Sequence, residues 1–395
     1  MTAQLKIRKH KINLKCPSHI VKVLLWCFLI IGARLYAQTP ISKSAIFDTQ
    51  VPKDIQLKIV QALEILIYRV DNNKTFSSQI DSAGAALSTT MLGTIKGVGI
   101  YGNAKNDSLY SPQLINLHAI AAGQYSVSVA YIGNNTLMAI VNFEASIRAG
   151  SVVFSIPLFY LTRNWKTKKV GHIIYHYADN INVERAAIFN KKNTRIAEKL
   201  GLPTANFDFY LVDDYFDILK LLGYTYDSET AGHESDGFGP TNGYIFSIMH
   251  NEDFSHDVFH FYAEKVRAHS RNSAAEEGIA YSWGNAYYTD EHGEMMSQGQ
   301  LVKLLKQYLQ QNPGAGLLDL FYKNPPILPL KTKVRSLLAS LISDEVERRK
   351  GIAGIKTLID CGSGDDNYFM AVNKLIGINA ANFNIEVKRL LENYN

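Results

Sequence analysis

The spacing of apolar residues changes along the chain. Between Pro52 and Val70 apolar side chains recur at helical spacing, which predicts an amphipathic helix. From Tyr125 onward the period becomes two, which predicts long strands at 125–132, 137–148, 152–161 and 170–177. Turn residues between these strands indicate an antiparallel meander with the helix packed on one face. Residues 71–122 are rich in Asn, Ser and Gly and yield no firm prediction.

After the meander, strands and helices first alternate and then give way to helices alone. The polar break Asn164 to Lys168 suggests a domain boundary, and the Gly-rich stretch Gly232 to Gly243 fits a lid or a connector. The sequence thus predicts an α+β chain with an N-terminal domain at 39–165 and a C-terminal domain at 166–395. The elements predicted beyond the break are a helix at 182–200, strands at 207–212 and 244–249, a short helix at 214–222, and helices at 254–268, 274–286, 297–311, 314–322 and 331–350.

The first residues carry the signal for localisation. A basic start without acids is followed by an apolar run from Val23 to Ala33 and by small Ala37. This predicts a secretory signal peptide at residues 1–37, and therefore an exported protein in the periplasm or outside the cell. An uncleaved N-terminal anchor is the alternative, although the run is short for a membrane span.

Charge and cysteine content change once the signal peptide is set aside. The whole chain has a net charge of +5, but residues 1–37 hold seven of its 41 basic residues and no acid, which leaves 34 basic against 36 acidic residues. A nearly neutral mature chain gives no support for nucleic-acid binding. Cys16 and Cys27 leave with the signal, so Cys361 remains alone and no intrachain disulfide is expected.

Two histidines lie four residues apart on the helix predicted at 254–268. Positions i and i+4 share one face of a helix, so His256 and His260 can present two imidazole nitrogens to one Zn²⁺ ion. A carboxylate from a second helix can complete such a site. Phe254, Val258 and Phe259 would bury the helix that carries the pair. The alternative is a chance pair in a chain that has eleven histidines.

The same segment resembles the gluzincin metallopeptidases of the peptidase MA type. It reads H-D-x-x-H from His256 to His260, with E-G-x-A beginning at Glu277, where the family has H-E-x-x-H and a downstream glutamate. The resemblance covers roughly residues 168–395. It implies a zinc-dependent peptidase with His256, His260 and Glu277 as metal ligands, the general base at position 257, and a peptide or protein as substrate.

The third ligand has a simpler alternative explanation. Glu276 and Glu277 also fit as acids in the first turn of a helix capped by Asn272 or Ser273, where the helix dipole favours them. Glu276 points about 100° away from Glu277 around the helix, so the two cannot exchange roles without rotating it. Gly278 would let this helix approach the histidine helix closely.

Position 257 departs from the family pattern, because it is aspartate. Asp257 is one methylene shorter than glutamate, which withdraws its carboxylate by about 1 Å from a water at the metal, and such a misplacement can cost on the order of a hundredfold in rate. A weak peptidase and a catalytically inactive binding or scaffold protein are both consistent with this residue.

Several further residues are candidates for supporting roles. Glu264 lies one turn beyond His260 and fits either an orienting partner or a solvated acid. The strand at 244–249 is a candidate for pairing with an extended peptide. An adjacent His-Asp pair also occurs in metal-dependent phosphohydrolases, but those folds are all helical. The resemblance places an oxyanion-stabilising residue after the third ligand, with Tyr281, Tyr287, Tyr288 and His292 as candidates.

Overall fold

The computed structural model describes residues 41–43, 51–71, 77–82, 84–99, 110–133, 135–227, 237–290 and 292–394. The fold is α+β, with two mixed sheets and a helical C-terminal half. The predicted signal peptide at 1–37 and part of the Gly-rich stretch lie outside the described residues. None of the described helices is both long and apolar enough to cross a membrane.

The first sheet contains the first three strands of the predicted meander and adds a strand from the stretch 71–122, which gave no firm prediction. Strands β2 (Ser111–Ala121), β3 (Gln124–Gly133), β4 (Thr136–Arg148) and β5 (Ser151–Ser155) pair antiparallel in chain order, and β1 (Ser42–Lys43) pairs parallel to β2. Helix α1 (Lys53–Asp71), predicted at 52–70, and helix α2 (Ala85–Gly99) share a hydrophobic core with this sheet.

The last strand of the meander is shorter than predicted. The sequence pattern suggested a strand to residue 161, but β5 ends at Ser155 and a short helix, α3 (Leu158–Leu161), follows. Pro157 is the N-cap of α3 and has no backbone N–H to give to a strand, which fits this break.

The second sheet has five strands in the order β10 (Gly237–Thr241), β11 (Tyr244–Ser247), β8 (Phe207–Leu211), β7 (Ile173–Tyr177) and β6 (Lys166–Val170). Its central strands β7, β8 and β11 are parallel. The single strand predicted at 170–177 is wrong, because β6 and β7 form a hairpin that turns at Gly171 with a φ of 59°. The polar break therefore lies partly within a strand.

The strand predicted to pair with a peptide lies inside the sheet. β11 is flanked by β8 on one side and by the antiparallel strand β10 on the other. Residues 237–241 were predicted as part of a loop, but among the described residues they form the outer strand of this sheet. An added strand would therefore meet β10 and not β11.

Helices make up the rest of the C-terminal half and follow the predicted order. They are α4 (Val183–Leu200), α5 (Tyr215–Leu221), α6 (Ser255–Val266), α7 (Ser273–Trp283), α8 (Gln298–Gln311), α9 (Leu317–Lys323), α10 (Val334–Ile359), α11 (Asp365–Ile376) and α12 (Phe383–Glu392). Helix α10 continues past its predicted end at 350 but has non-helical dihedral angles at Gly351.

Two hydrophobic clusters form the interior. The larger contains the buried faces of α4, α6, α7, α8 and α10, and the other lies between the first sheet and its helices. Strand β9 (Tyr224–Asp227) pairs with β4 of the first sheet. Tyr210 and Phe246 of the second sheet belong to the hydrophobic cluster that lies beneath the first sheet. The division into domains at 39–165 and 166–395 stays a prediction.

Candidate metal centre

Helices α6 and α7 bring the two parts of the motif together. Helix α6 buries Val258, Phe259 and Tyr262 in the larger core, which turns His256 and His260 toward α7. The side chain of Asn272 caps α7 by accepting a hydrogen bond from the Ala275 N–H. The cap fixes where α7 begins and so places Glu276 and Glu277 opposite the histidines.

Gly278 permits a close approach, but to a different helix from the one expected. An alanine Cβ at this position would lie 2.7 Å from the backbone carbon of Ala339 on α10. The glycine therefore packs α7 against α10, and not against the histidine helix. This contact sets the position of the neighbouring Glu277.

Three side chains converge as a metal site requires. The Nε2 atoms of His256 and His260 are 3.2 Å apart; His256 Nε2 lies 3.5 Å from Oε2 of Glu277, and His260 Nε2 lies 3.5 Å from Oε1. Ligand atoms held about 2.0–2.1 Å from a tetrahedral zinc ion are about 3.3 Å from one another. These residues form the one group in the described part of the chain whose ligand atoms could hold a metal ion together.

The second nitrogen of each imidazole has its own partner. His256 Nδ1 lies 2.9 Å from the backbone carbonyl of Asn285, and His260 Nδ1 lies 3.2 Å from a carboxylate oxygen of Glu276. A carbonyl oxygen can only accept, so His256 carries a proton on Nδ1, and Nε2 is the nitrogen that can either donate a proton to Glu277 or offer its lone pair to a metal ion. A carboxylate behind a metal-binding histidine orients the ring and raises its basicity.

The electrostatics of the cluster favour a negative Glu277 beside positive charge. Burial alone would raise the pKa of Glu277, but hydrogen bonds from His256 and His260 hold it well below its usual range. Burial opposes protonation of His260, yet its contacts with Glu276 and Glu277 raise its pKa overall. The cluster therefore attracts cations, whether protons or a metal ion.

Asp257 is half-buried on the first turn of α6, and the charges of the same cluster affect its pKa. Burial raises its pKa, and the positive charges of the two histidines act in the opposite direction. Its Oδ2 atom is buried without a hydrogen-bond partner. A buried carboxylate oxygen without a partner is costly in a folded protein, so this atom is available to a water or substrate group.

Two arginines surround the acids of α7. Glu276 is fully buried, accepts a hydrogen bond from Arg267 at 2.8 Å, and forms an ion pair with Arg271, whose Nε lies 3.2 Å from its carboxylate. Arg271 also donates to Glu277 at 2.6 Å and lies against the ring of His260. Glu276 is therefore the carboxylate that orients His260, whereas Glu264, the other candidate, is exposed to solvent.

The four candidates for oxyanion stabilisation lie in different surroundings. The hydroxyl of Tyr281 accepts a hydrogen bond from the Lys333 backbone N–H, and burial raises its pKa to about 12. The Tyr287 ring lies 5.5 Å from the His256 ring, centroid to centroid. Tyr288 lines a cavity beside Met249, and the carbonyl of His292 accepts from an arginine side chain. Of the four, Tyr281 and Tyr287 have rings beside that of His256.

Sequence reasoning missed Arg271 and Asn285. Arg271 lies between two helices, where no periodic spacing marks it, and Asn285 acts through a backbone carbonyl that any residue would supply. The Asn285 side chain offers a weak signal, because its amide donates to Ser255 at 3.0 Å and so links the loop to the first turn of α6.

A separate cavity lies at the carboxyl ends of β7 and β8. Its volume is about 370 Å³, and Trp165, Asp213 and Glu252 are among its lining residues. Neither histidine of the cluster nor Glu277 contributes to it. We therefore do not assign it to the metal centre.

The donor set fits a zinc ion. Two imidazoles and one carboxylate are the ligands of many hydrolytic zinc sites, which keep one position for water or substrate. The oriented Nε2 lone pair of His256, the carboxylate behind His260 and the unpartnered oxygen of Asp257 agree with such a site. No family model matches the chain, and no curated protein matches it significantly.

Proposed function

We propose that the protein is an exported zinc-dependent metallopeptidase of gluzincin type. The convergence of His256, His260 and Glu277, with their ligand atoms 3.2–3.5 Å apart, carries this proposal. The predicted signal peptide at 1–37 supports export. The order of a sheet, a histidine helix and a glutamate helix supports the resemblance to this class of peptidase.

Each residue of the cluster has a role in this proposal. Zinc, when bound, acidifies a water molecule and polarises the carbonyl group of the peptide. His256, His260 and Glu277 hold the ion, and Glu276 keeps the His260 ring in its binding orientation. Asp257 accepts a proton from the attacking water at Oδ2 and returns it to the leaving nitrogen. Burial supports this, because a raised pKa makes the carboxylate a stronger base.

The outer strand β10 is the place where an extended substrate would pair with the sheet. β10 shields β11 in the described part of the chain, so a peptide added on that side would meet residues 238–241. The proposed contact is still strand addition, as the sequence suggested, but the strand that receives the peptide is β10 and not β11.

Metal analysis tests the proposal most directly. We expect about one zinc per chain in the purified wild-type protein, and loss of that zinc in His260→Ala. His269→Ala is the matched control, because His269 is exposed and pairs with Asp360 away from the cluster. Wild-type protein without zinc above background would refute the metal site and the peptidase with it.

A binding or scaffold protein with the same metal site is the second candidate, and the short side chain of Asp257 favours it. Asp257→Glu distinguishes the two when hydrolysis of a mixed peptide library is measured. A peptidase with a badly placed base should gain about one to two orders of magnitude. A binding protein should stay at background with either residue, as should the metal-weakened Glu277→Gln.

A further inference from the structure

Arg271 lies on the solvent side of the metal cluster. Its side chain is 42% exposed, whereas that of Glu277 is 18% exposed and that of Glu276 is fully buried. Its Nη2 atom is 2.6 Å from a Glu277 oxygen and 3.2 Å from His260 Nε2. A ligand that reaches these metal-binding atoms from solvent therefore passes beside the guanidinium group.

The guanidinium group is held in place from behind. Its Nε forms an ion pair with the buried Glu276 at 3.2 Å, and its Nη2 donates a hydrogen bond to Glu277. An arginine has five N–H donors in a fixed plane, and no described residue accepts from Nη1 of Arg271. Those donors remain for a partner from outside the chain.

A carboxylate is the partner that this arrangement fits. Arginine binds carboxylates through its planar fork, and anchoring from behind reduces the entropy lost on binding. Glu276 and Glu277 both lie on α7 and contact Nε and Nη2, so the Nη1 donors are the part of the guanidinium group that a further carboxylate can bind. A peptide carrying a carboxylate near its cleavage point would meet this charge beside the cluster.

We propose that Arg271 binds a carboxylate group of the substrate beside the metal site, and so selects acidic peptides or peptide C-termini. The inference rests on the proposed metallopeptidase function and adds a substrate class to it. A purely structural role for Arg271 would be to hold Glu277 for the metal. The two roles predict opposite changes in zinc affinity.

Binding measurements on zinc-loaded protein test the proposal without relying on turnover. The probes are N-acetylalanine with an α-carboxylate, N-acetylglutamic acid α-amide with a side-chain carboxylate, and neutral N-acetylalaninamide. We expect calorimetry to detect binding of at least one of the two acids and no binding of the amide. The acid that binds more tightly shows whether the site prefers an α-carboxylate or a side-chain carboxylate. Equal binding of the amide and both acids would overturn the proposal.

Arg271→Gln supplies the decisive comparison. We expect at least tenfold weaker binding of the carboxylate probe, and zinc binding that is several-fold tighter in chelator competition because a neighbouring cation is gone. Arg389→Gln is the matched control, since Arg389 is 44% exposed on α12. Arg271→Lys keeps the charge without the fork and should bind the probe with intermediate affinity, which preserves the test if the Gln variant does not fold.

The outcomes separate this inference from the function on which it rests. Unchanged probe binding in Arg271→Gln, or weaker zinc binding in that variant, overturns the role of Arg271 and leaves the metal site intact. Absence of zinc from wild type overturns both.

Discussion

Replacing Gly278 with alanine perturbs the contact that fixes α7 and its metal ligand. The added Cβ would lie 2.7 Å from the carbonyl carbon of Ala339 and 2.8 Å from its Cβ and its oxygen. Ordinary Cβ contacts begin near 3.4 Å. Two of the opposing atoms are backbone of α10, which cannot rotate away, so α7 must retreat by about 0.7 Å.

The magnitude follows from this displacement. Overpacking of this kind costs about 1–3 kcal/mol, and a gap of 0.5–1 Å elsewhere along α7 forfeits part of its dispersion energy. Alanine recovers about 1 kcal/mol through its higher helix propensity. We expect a net loss of about 1–2 kcal/mol in the free energy of unfolding. Because Glu277 precedes the substituted residue, zinc affinity should fall by about tenfold.

Urea unfolding and zinc competition with a chelator measure the two effects. Gly299→Ala is the control, because a Cβ there would meet the Tyr394 ring only at 3.8 Å. That variant should be as stable as wild type or more stable by about 0.5–1 kcal/mol. A Gly278→Ala protein that unfolds at the wild-type urea concentration would refute the argument that α7 and α10 are in limiting contact.

Three further predictions concern buried charges. Glu276→Gln should weaken zinc binding by about 10- to 100-fold in chelator competition because His260 loses its orienting carboxylate, whereas Glu264→Gln at an exposed position should not. Hydrogen bonds from two arginines lower the pKa of Glu345 to about 2, so the ionised side chain stabilises the fold above its unfolded pKa near 4.5, and this stabilisation is lost as the pH falls toward 2. Because solvent screens the exposed arginines, the stabilisation amounts to about 1–2 kcal/mol. In Glu345→Gln the free energy of unfolding should therefore fall by about 1–2 kcal/mol less between pH 4.5 and 2 than in wild type. Lys192→Ala removes the 2.6 Å ion pair of buried Asp253 and should lower the free energy of unfolding by about 1–3 kcal/mol in urea titrations, so unchanged stability would contradict that pairing.

The sequence predicted what depends on short-range periodicity. The helices carrying His256 and Glu277 begin within one residue of their predicted starts, because apolar spacing and the Asn272 cap are local signals. The α+β class and the antiparallel meander are confirmed for the same reason. Zinc binding and peptide hydrolysis stay predictions.

What the sequence could not predict depends on contacts between distant segments. The hairpin at Gly171 was missed because the Lys-rich β6 read as a polar break, and only Val170 of that strand joined the apolar pattern of β7. The predicted packing partner of Gly278 was wrong, because a glycine indicates that another element comes close but not which one; the opposing residue is Ala339 on α10. Arg271 became a candidate only when folding brought it against His260 and Glu277.

Strand β9 has a consequence for the order in which the chain can assemble during translation. β5 pairs with the C-terminal half of β4, and the N-terminal half of the same edge is paired only by residues 224–227, which are synthesised much later. Until Asp227 leaves the ribosome, part of β4 presents unpaired backbone groups to other nascent chains. A fragment ending at residue 165 would keep that edge open permanently. The first sheet produced alone is therefore expected to aggregate through this edge, which β9 covers when residues 224–227 are present.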